Sequence, residues 1–85
     1  MSGARVETFH LADLGEGLIE AFVQEILVQV GDVIEMFAPV AVIETEKSTV
    51  EITSPFAGTV TRVAATTNEY INVGDPIIEV EVTGE

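Results

Sequence analysis

The stretch that decides the fold is Val42-Ile43-Glu44-Thr45-Glu46-Lys47-Ser48-Thr49-Val50-Glu51-Ile52. Apolar and polar residues alternate on both sides of its polar centre, a pattern typical of two half-buried strands joined by a tight turn. No Asn-Gly or Asp-Gly pair marks the turn, so the sequence leaves its geometry open. We predict a β-hairpin with Lys47 at or beside its tip, where the primary amine projects into solvent on a flexible stem.

The hairpin lies where two copies of an internal repeat meet. A shift of 37 residues places residues 31–34 on residues 68–71 and residues 39–40 on residues 76–77. In this register Gly31 falls on Asn68, and these two residue types adopt positive φ most readily. We therefore predict that both copies contain a turn at this position.

Residues 21–30 are ambiguous, because their apolar residues recur at the spacing of an amphipathic helix. The repeat, however, places Val23 and Ile26 on Val60 and Val63 in the second copy, which is rich in Thr and Val. We interpret both copies as strands, each bulged, since a three-residue gap between apolar positions breaks the alternation of a regular strand.

Two copies of about four short strands, with no helix, predict an all-β fold. We expect a flattened sandwich or barrel of two four-stranded antiparallel sheets with quasi-twofold symmetry. We assign residues 6–82 to this single domain, residues 1–5 to a disordered N-terminal end and residues 83–85 to the start of a linker.

Composition excludes several functions for a chain of 85 residues, which is long enough for one domain. The formal net charge of −12 would repel nucleic acid and anionic membranes and favours a basic protein partner. The absence of cysteine excludes a disulfide, a thiolate zinc site and a thiol nucleophile. Neither a signal peptide nor a membrane span is evident, so we expect a soluble, unexported protein whose redox chemistry, if any, is supplied by an added group.

Lys47 is the single lysine of the chain, and position alone would leave it a solvated charge without a role. The motifs around Lys47 suggest a role for it, because together they resemble a known family. The relevant motifs, in order, are Leu14-Gly15-Glu16-Gly17, Val30-Gly31-Asp32-Val33, Ile43-Glu44-Thr45-Glu46-Lys47-Ser48, Ser54-Pro55 and Ala57-Gly58-Thr59-Val60. Over residues 6–82 the chain resembles the lipoyl domain of the dihydrolipoamide acyltransferases of 2-oxo acid dehydrogenase complexes.

The resemblance implies a non-catalytic carrier domain of the biotinyl/lipoyl-like fold, with lipoic acid attached to Lys47 through an amide. Such a carrier moves acyl groups and reducing equivalents between the components of the complex. The implied partners are a thiamine-dependent 2-oxo acid decarboxylase, dihydrolipoamide dehydrogenase, a lipoylating enzyme and the rest of the acyltransferase core. The implied compartment is the bacterial cytoplasm or the mitochondrial matrix, and we expect the isolated domain to be monomeric.

Recognition by these partners is assigned to residues around the lysine. On the hairpin they are Glu44, Glu46 and Ser48, although the two carboxylates would equally suit a solvated strand face. The resemblance also implies that Gly15, Glu16 and Gly17 form a recognition loop beside the hairpin. The chain departs from the family pattern in two places. Glu46 stands where Asp is usual before the lysine, and Met36-Phe37-Ala38-Pro39 stands where many members have a Gly before the Pro, with Phe37 expected to be exposed at a turn.

Two other functions remain as alternatives. A biotin carrier resembles the same sandwich but surrounds its lysine with methionines, whereas Met36 is distant in sequence and the neighbours of Lys47 are Glu46 and Ser48. An unmodified lipoyl-like interaction module would not need the lysine. A hydrolase or metal enzyme is disfavoured because no catalytic constellation is visible and His10, the single histidine, has no second histidine with which to share a metal.

Overall fold

A computed structural model describes residues 5–12 and 20–82 of the chain. These residues form eight strands: β1 (Arg5–His10), β2 (Glu20–Ile26), β3 (Val33–Ile34), β4 (Pro39–Glu44), β5 (Thr49–Thr53), β6 (Gly58–Val63), β7 (Tyr70–Asn72) and β8 (Pro76–Val82). Every strand pairing is antiparallel. The first sheet has the strand order β1-β8-β6-β3 and the second has the order β5-β4-β2-β7. The predicted all-β class with two four-stranded antiparallel sheets is therefore confirmed.

The two sheets are built from the internal repeat. Strands β6, β7 and β8 follow β2, β3 and β4 at the predicted shift of 37 residues. Both β2 and β6 are bulged, as expected, between Val23 and Glu25 and between the equivalent Val60 and Arg62. The extra residue in β2 explains the three-residue gap between Val23 and Ile26, and the remaining apolar residues of the helix-like pattern, Leu27 and Val30, lie beyond the strand and are exposed.

The core lies between the two sheets and also follows the repeat. Val23 and its equivalent Val60 are almost completely buried, and so are Ile43 and its equivalent Val80. Burying such a side chain stabilises the fold by about 1.5–3 kcal/mol. Both copies thus contribute matched side chains to one shared interior.

Four turn residues of the repeat have positive φ. Gly31 and Asn68 have φ values of 98° and 71°, which confirms the predicted pair of turns. A second equivalent pair is formed by Phe37 (φ 71°) and Gly74 (φ 97°). Phe37 thus occupies a left-handed position that suits glycine, and the residue is 71% exposed.

Gly58 permits a close approach between two strands of the first sheet. A Cβ at this position would overlap the backbone carbonyl of Glu81 in β8. A larger residue at the start of β6 would therefore push β6 away from β8.

The sandwich has two poles, and the chain crosses between the sheets at each. We call the end that carries residues 45–48 the hairpin pole. β7 ends at this pole, since Asn72 lies opposite Glu20, two residues beyond the row that contains Phe22 and Glu44. β8 starts four residues later and runs to the opposite end of the sandwich, which we call the far pole, where Val82 pairs with Arg5. β1 thus begins at Arg5, beside the last residue of β8.

No helix within the described ranges has both the length and the apolar character needed to cross a membrane.

Candidate functional site: a lysine on a hairpin tip

The predicted hairpin is formed by β4 and β5. Their last paired residues are Glu44 and Thr49, and the Thr45 N–H donates a hydrogen bond of 2.8 Å to the Ser48 carbonyl oxygen. Glu46 and Lys47 are left as the two central residues of the turn, and both side chains are exposed. Lys47 therefore lies at the tip, as the sequence predicts.

The Thr45 side chain holds the tip in shape. Its hydroxyl oxygen accepts hydrogen bonds of 3.1 Å from both the Lys47 and the Ser48 backbone N–H groups. The same hydroxyl lies 3.1 Å from the Ser48 carbonyl oxygen, to which it donates. Thr45 is only 8% exposed although its neighbours are solvated. A buried side chain thus anchors the backbone beneath the exposed amine.

Sequence reasoning did not single out Thr45, although a signal was present. Hydroxyl side chains that bond to backbone N–H groups two and three residues ahead are a recurrent turn device. The Thr45-Glu46-Lys47-Ser48 segment has that form. The missing Asn-Gly pair is therefore compensated by a side-chain acceptor, and neither Glu46 nor Lys47 has positive φ.

Lys47 makes no salt bridge among the described residues, where the ion pairs join Arg5 to Glu7 and Arg62 to Glu79. Both of those pairs lie on the first sheet. The described part of the chain also contains no group of three His, Asp or Glu side chains that could hold a metal ion. What the tip offers chemically is a displayed amine.

The hairpin brings the predicted recognition residues Glu44, Glu46 and Ser48 close to Lys47, all of them exposed. Glu44 accepts a hydrogen bond of 3.4 Å from the Gln24 side chain on the neighbouring strand. The other predicted recognition residues, Gly15, Glu16 and Gly17, lie outside the described residues.

The Ser54-Pro55 motif lies at the opposite end of the hairpin and has a structural role. Ser54 is fully buried, and its hydroxyl donates to the Phe56 carbonyl oxygen at 2.8 Å and accepts from the Phe56 N–H at 3.0 Å. The Ser54 carbonyl oxygen in turn accepts from the Phe37 N–H at 2.7 Å. This segment fixes the base of the hairpin on the core.

A doubled β-sandwich that displays an exposed lysine at a hairpin tip is the arrangement expected of one class of protein, the carrier domain for a covalently attached group. Comparison with known families agrees. Residues 7–80 match the profile of the biotin/lipoyl family described as "Biotin-requiring enzyme". The chain belongs to this family of biotinyl and lipoyl domains, whose members carry a lipoate-type or biotin-type cofactor, and the resemblance to acyltransferase lipoyl domains is confirmed by its curated relatives.

Two of these relatives illustrate the similarity. The chain is 44% identical over 66 residues to the dihydrolipoyllysine-residue acetyltransferase component of the pyruvate dehydrogenase complex of Mycoplasma genitalium, which covers 78% of the chain and 17% of the relative. It is 32% identical over 77 residues to the mitochondrial lipoamide acyltransferase component of the mouse branched-chain alpha-keto acid dehydrogenase complex, covering 91% of the chain and 16% of the relative. The chain thus spans about a sixth of the length of these relatives.

Among solved structures, a single-chain, multi-domain long-chain acyl-CoA carboxylase contains a similar fold. The match has a TM-score of 0.71 at 20% sequence identity, and it covers 98% of this chain and 7% of the carboxylase. At this identity the likeness supports the fold alone.

Proposed function

We propose that Lys47 carries lipoic acid as an amide on its Nζ atom and that the domain works as an acyl and electron carrier in a 2-oxo acid dehydrogenase complex. The observation that carries this proposal is the exposed Lys47 at a hairpin tip fixed by Thr45. The chain contains no other lysine, so Lys47 is the one side-chain amine that an attaching enzyme can acylate. The similarity to lipoamide acyltransferase components favours lipoic acid over biotin as the attached acid.

The residues of this chain bind and present the group rather than react with substrate. The dithiolane of lipoic acid would supply the redox-active sulfur and the thiol acyl carrier that a chain without cysteine lacks. The Thr45 hydrogen bonds keep the Lys47 backbone in place, while the side chain of Lys47 supplies a flexible stem. Both features suit delivery of one group to several active sites.

The partners in this proposal are a thiamine-dependent 2-oxo acid decarboxylase, dihydrolipoamide dehydrogenase, a lipoylating enzyme and an acyltransferase core. Tethering to such a core by a flexible linker raises the local concentration of the carrier to roughly the millimolar range. Relatives in bacteria and in mitochondria support the bacterial cytoplasm or the mitochondrial matrix as the compartment. We assign residues 6–82 to the carrier domain.

Coexpression with a lipoylating enzyme tests the proposal. Intact-mass measurement should show one added lipoyl group on the wild-type chain and none on Lys47→Arg, which keeps the positive charge but cannot form the amide. The matched control Glu46→Asp restores the residue usual in the family and should be modified at least as fully as the wild type. A wild-type chain that gains no mass, or a gain that survives Lys47→Arg, would disprove the proposal, and a gain with a biotinylating enzyme in its place would favour the biotin carrier.

A further inference from the structure

An aromatic pair lies on the outer face of the second sheet, next to the hairpin pole. Phe22 in β2 lies opposite Tyr70 in β7 on one side and opposite Glu44 in β4 on the other, and Glu44 lies opposite Thr49 in β5. Side chains at directly opposed positions share a face of the sheet. We call these four residues, Tyr70, Phe22, Glu44 and Thr49, the aromatic row.

The row is accessible and its two rings are held together. Tyr70 is 66% exposed, and Glu44 and Thr49 are also exposed. The rings of Phe22 and Tyr70 meet edge to face, with centroids 5.2 Å apart and planes at 66°. This geometry leaves aromatic surface open to solvent roughly 10 Å, or two strand spacings, from the strand that bears Glu44.

The repeat shows that the aromatic row is not required by the fold. The equivalent row at the far pole consists of Val33, Thr59, Glu81 and Val6, which are paired in the same way on the first sheet. Here Val33 replaces Tyr70 and Thr59 replaces Phe22, so the scaffold forms without either ring. Of the two equivalent rows, the one beside the lysine hairpin contains the aromatic pair.

Charge also differs between the two outer faces. The first sheet contains Arg5 and Arg62, each bonded to a glutamate on the same sheet. The four strands of the second sheet contain no Arg or Lys, and they expose the carboxylates of Glu20, Glu25, Glu44 and Glu51. The second sheet therefore has an anionic outer face, and Glu44, the carboxylate of the aromatic row, has no basic partner on the strands of that sheet.

We propose that the aromatic row is a docking surface for an arginine-bearing segment of a partner protein. One arginine of the segment stacks its guanidinium group on Tyr70, and a neighbouring arginine forms a salt bridge with Glu44 two strands away. The net charge of −12 attracts such a segment over a longer range. Docking at this row does not require Lys47 to carry a cofactor, and it places the partner beside the hairpin.

Nuclear magnetic resonance titration of the isotope-labelled chain with a capped tetra-arginine peptide tests this docking. We expect saturating shifts of the Phe22, Glu44 and Tyr70 amide signals, and smaller shifts at Val33 and Glu81. The matched variants are Tyr70→Ala and Val33→Ala, which truncate equivalent exposed positions. Tyr70→Ala should raise the apparent Kd about threefold to fivefold, the loss expected for one exposed cation–π contact, and Val33→Ala should leave it unchanged.

Further variants separate the contributions. Tyr70→Leu keeps an apolar side chain but removes the aromatic face, so it should weaken binding as much as Tyr70→Ala. Glu44→Gln should weaken binding more than Glu81→Gln. Equal shifts in the two rows, or a Kd that is insensitive to Tyr70→Ala, would overturn the proposal, and concentration-dependent shifts of the row without peptide would show that a second copy covers it instead. Because the titration uses unmodified protein, failure of lipoylation at Lys47 would leave its result intact.

Discussion

At the residue scale, one buried hydroxyl determines how the lysine is displayed. Thr45 supplies the acceptor for two consecutive backbone N–H groups at the tip, a task that Gly-containing turns perform through backbone geometry instead. The rigidity of the tip therefore depends on a side chain two residues before Lys47. The lysine side chain itself remains free to move.

Replacing Thr45 by Val should test this role. Valine has nearly the same shape but no hydrogen-bond acceptor, so the Lys47 and Ser48 N–H groups must donate to water instead. We expect the free energy of unfolding to fall by about 1 kcal/mol, at the low end for a lost acceptor because the tip is solvated. Chemical denaturation measures this change, and amide exchange at Ser48 should accelerate.

Thr45→Ser is the matched control, since it retains the hydroxyl and loses only a methyl group. It should keep the slow amide exchange of Ser48. Equal exchange rates in Thr45→Val and the wild type would show that the hydroxyl does not hold the turn.

At the scale of elements, the two turns that lead into β4 and β8 are equivalent but have different residues. Gly74 takes its positive φ without strain, whereas Phe37 takes it with a Cβ. A non-glycine residue in this region costs about 1 kcal/mol or more. The Phe37 ring recovers little of this energy by burial, because the residue is 71% exposed.

Phe37→Gly should therefore stabilise the domain. We expect a gain of about 0.5–1 kcal/mol, because the relief of strain exceeds the added chain entropy of glycine in the unfolded state. This corresponds to a rise in Tm of about 2–8 °C for a domain of this size. Thermal unfolding followed by circular dichroism gives the value.

The opposite change at the equivalent position of the repeat, Gly74→Ala, measures the cost of adding a Cβ there. A Cβ at Gly74 has no neighbouring atom within 4 Å, so the penalty is conformational alone and should be about 1 kcal/mol. If Phe37→Gly lowered Tm, the ring would be making contacts that outweigh the backbone strain.

The elements also show what the sequence could predict. Repetition identified the β2 and β6 bulges because the same irregular spacing occurs in both copies, and alternation around Lys47 predicted the hairpin. The Thr45 hydrogen bonds escaped prediction because they depend on side-chain position rather than on apolar pattern. The strain at Phe37 escaped as well, since only backbone angles reveal it, and the aromatic row required knowledge of which strands are neighbours.

At the scale of the whole molecule, charge acts against folding. The net charge is −12, and the two salt bridges of the described residues compensate few of the acidic groups. The Cα radius of gyration is 12.9 Å, which is shorter than the screening length of about 30 Å at 10 mM salt. In dilute salt, therefore, carboxylates on one sheet repel those on the other.

Salt should stabilise this protein. Raising NaCl from about 10 mM to about 1 M reduces the screening length to about 3 Å, and we expect the free energy of unfolding to rise by about 1 kcal/mol or more as repulsion is screened. Little is lost in exchange, because exposed salt bridges contribute only about 0–1 kcal/mol each. Urea denaturation at several NaCl concentrations measures the effect.

A variant with one charge removed from each sheet, Glu51→Gln with Glu81→Gln, serves as the control. It should be more stable than the wild type at low salt and respond less to NaCl. Stability that is flat or falls with added NaCl would show that self-repulsion is not the dominant electrostatic contribution.

The pairing of Arg5 with Val82 has a geometric consequence. The polypeptide enters and leaves the sandwich side by side, at the pole farthest from Lys47. A longer protein joined to either end would be attached at the far pole, so the Lys47 amine would lie at the end of the domain opposite the attachment point. Rotation of the domain about this attachment point would move Lys47 along the widest possible arc. The distance that Lys47 can cover would then include the full length of the sandwich.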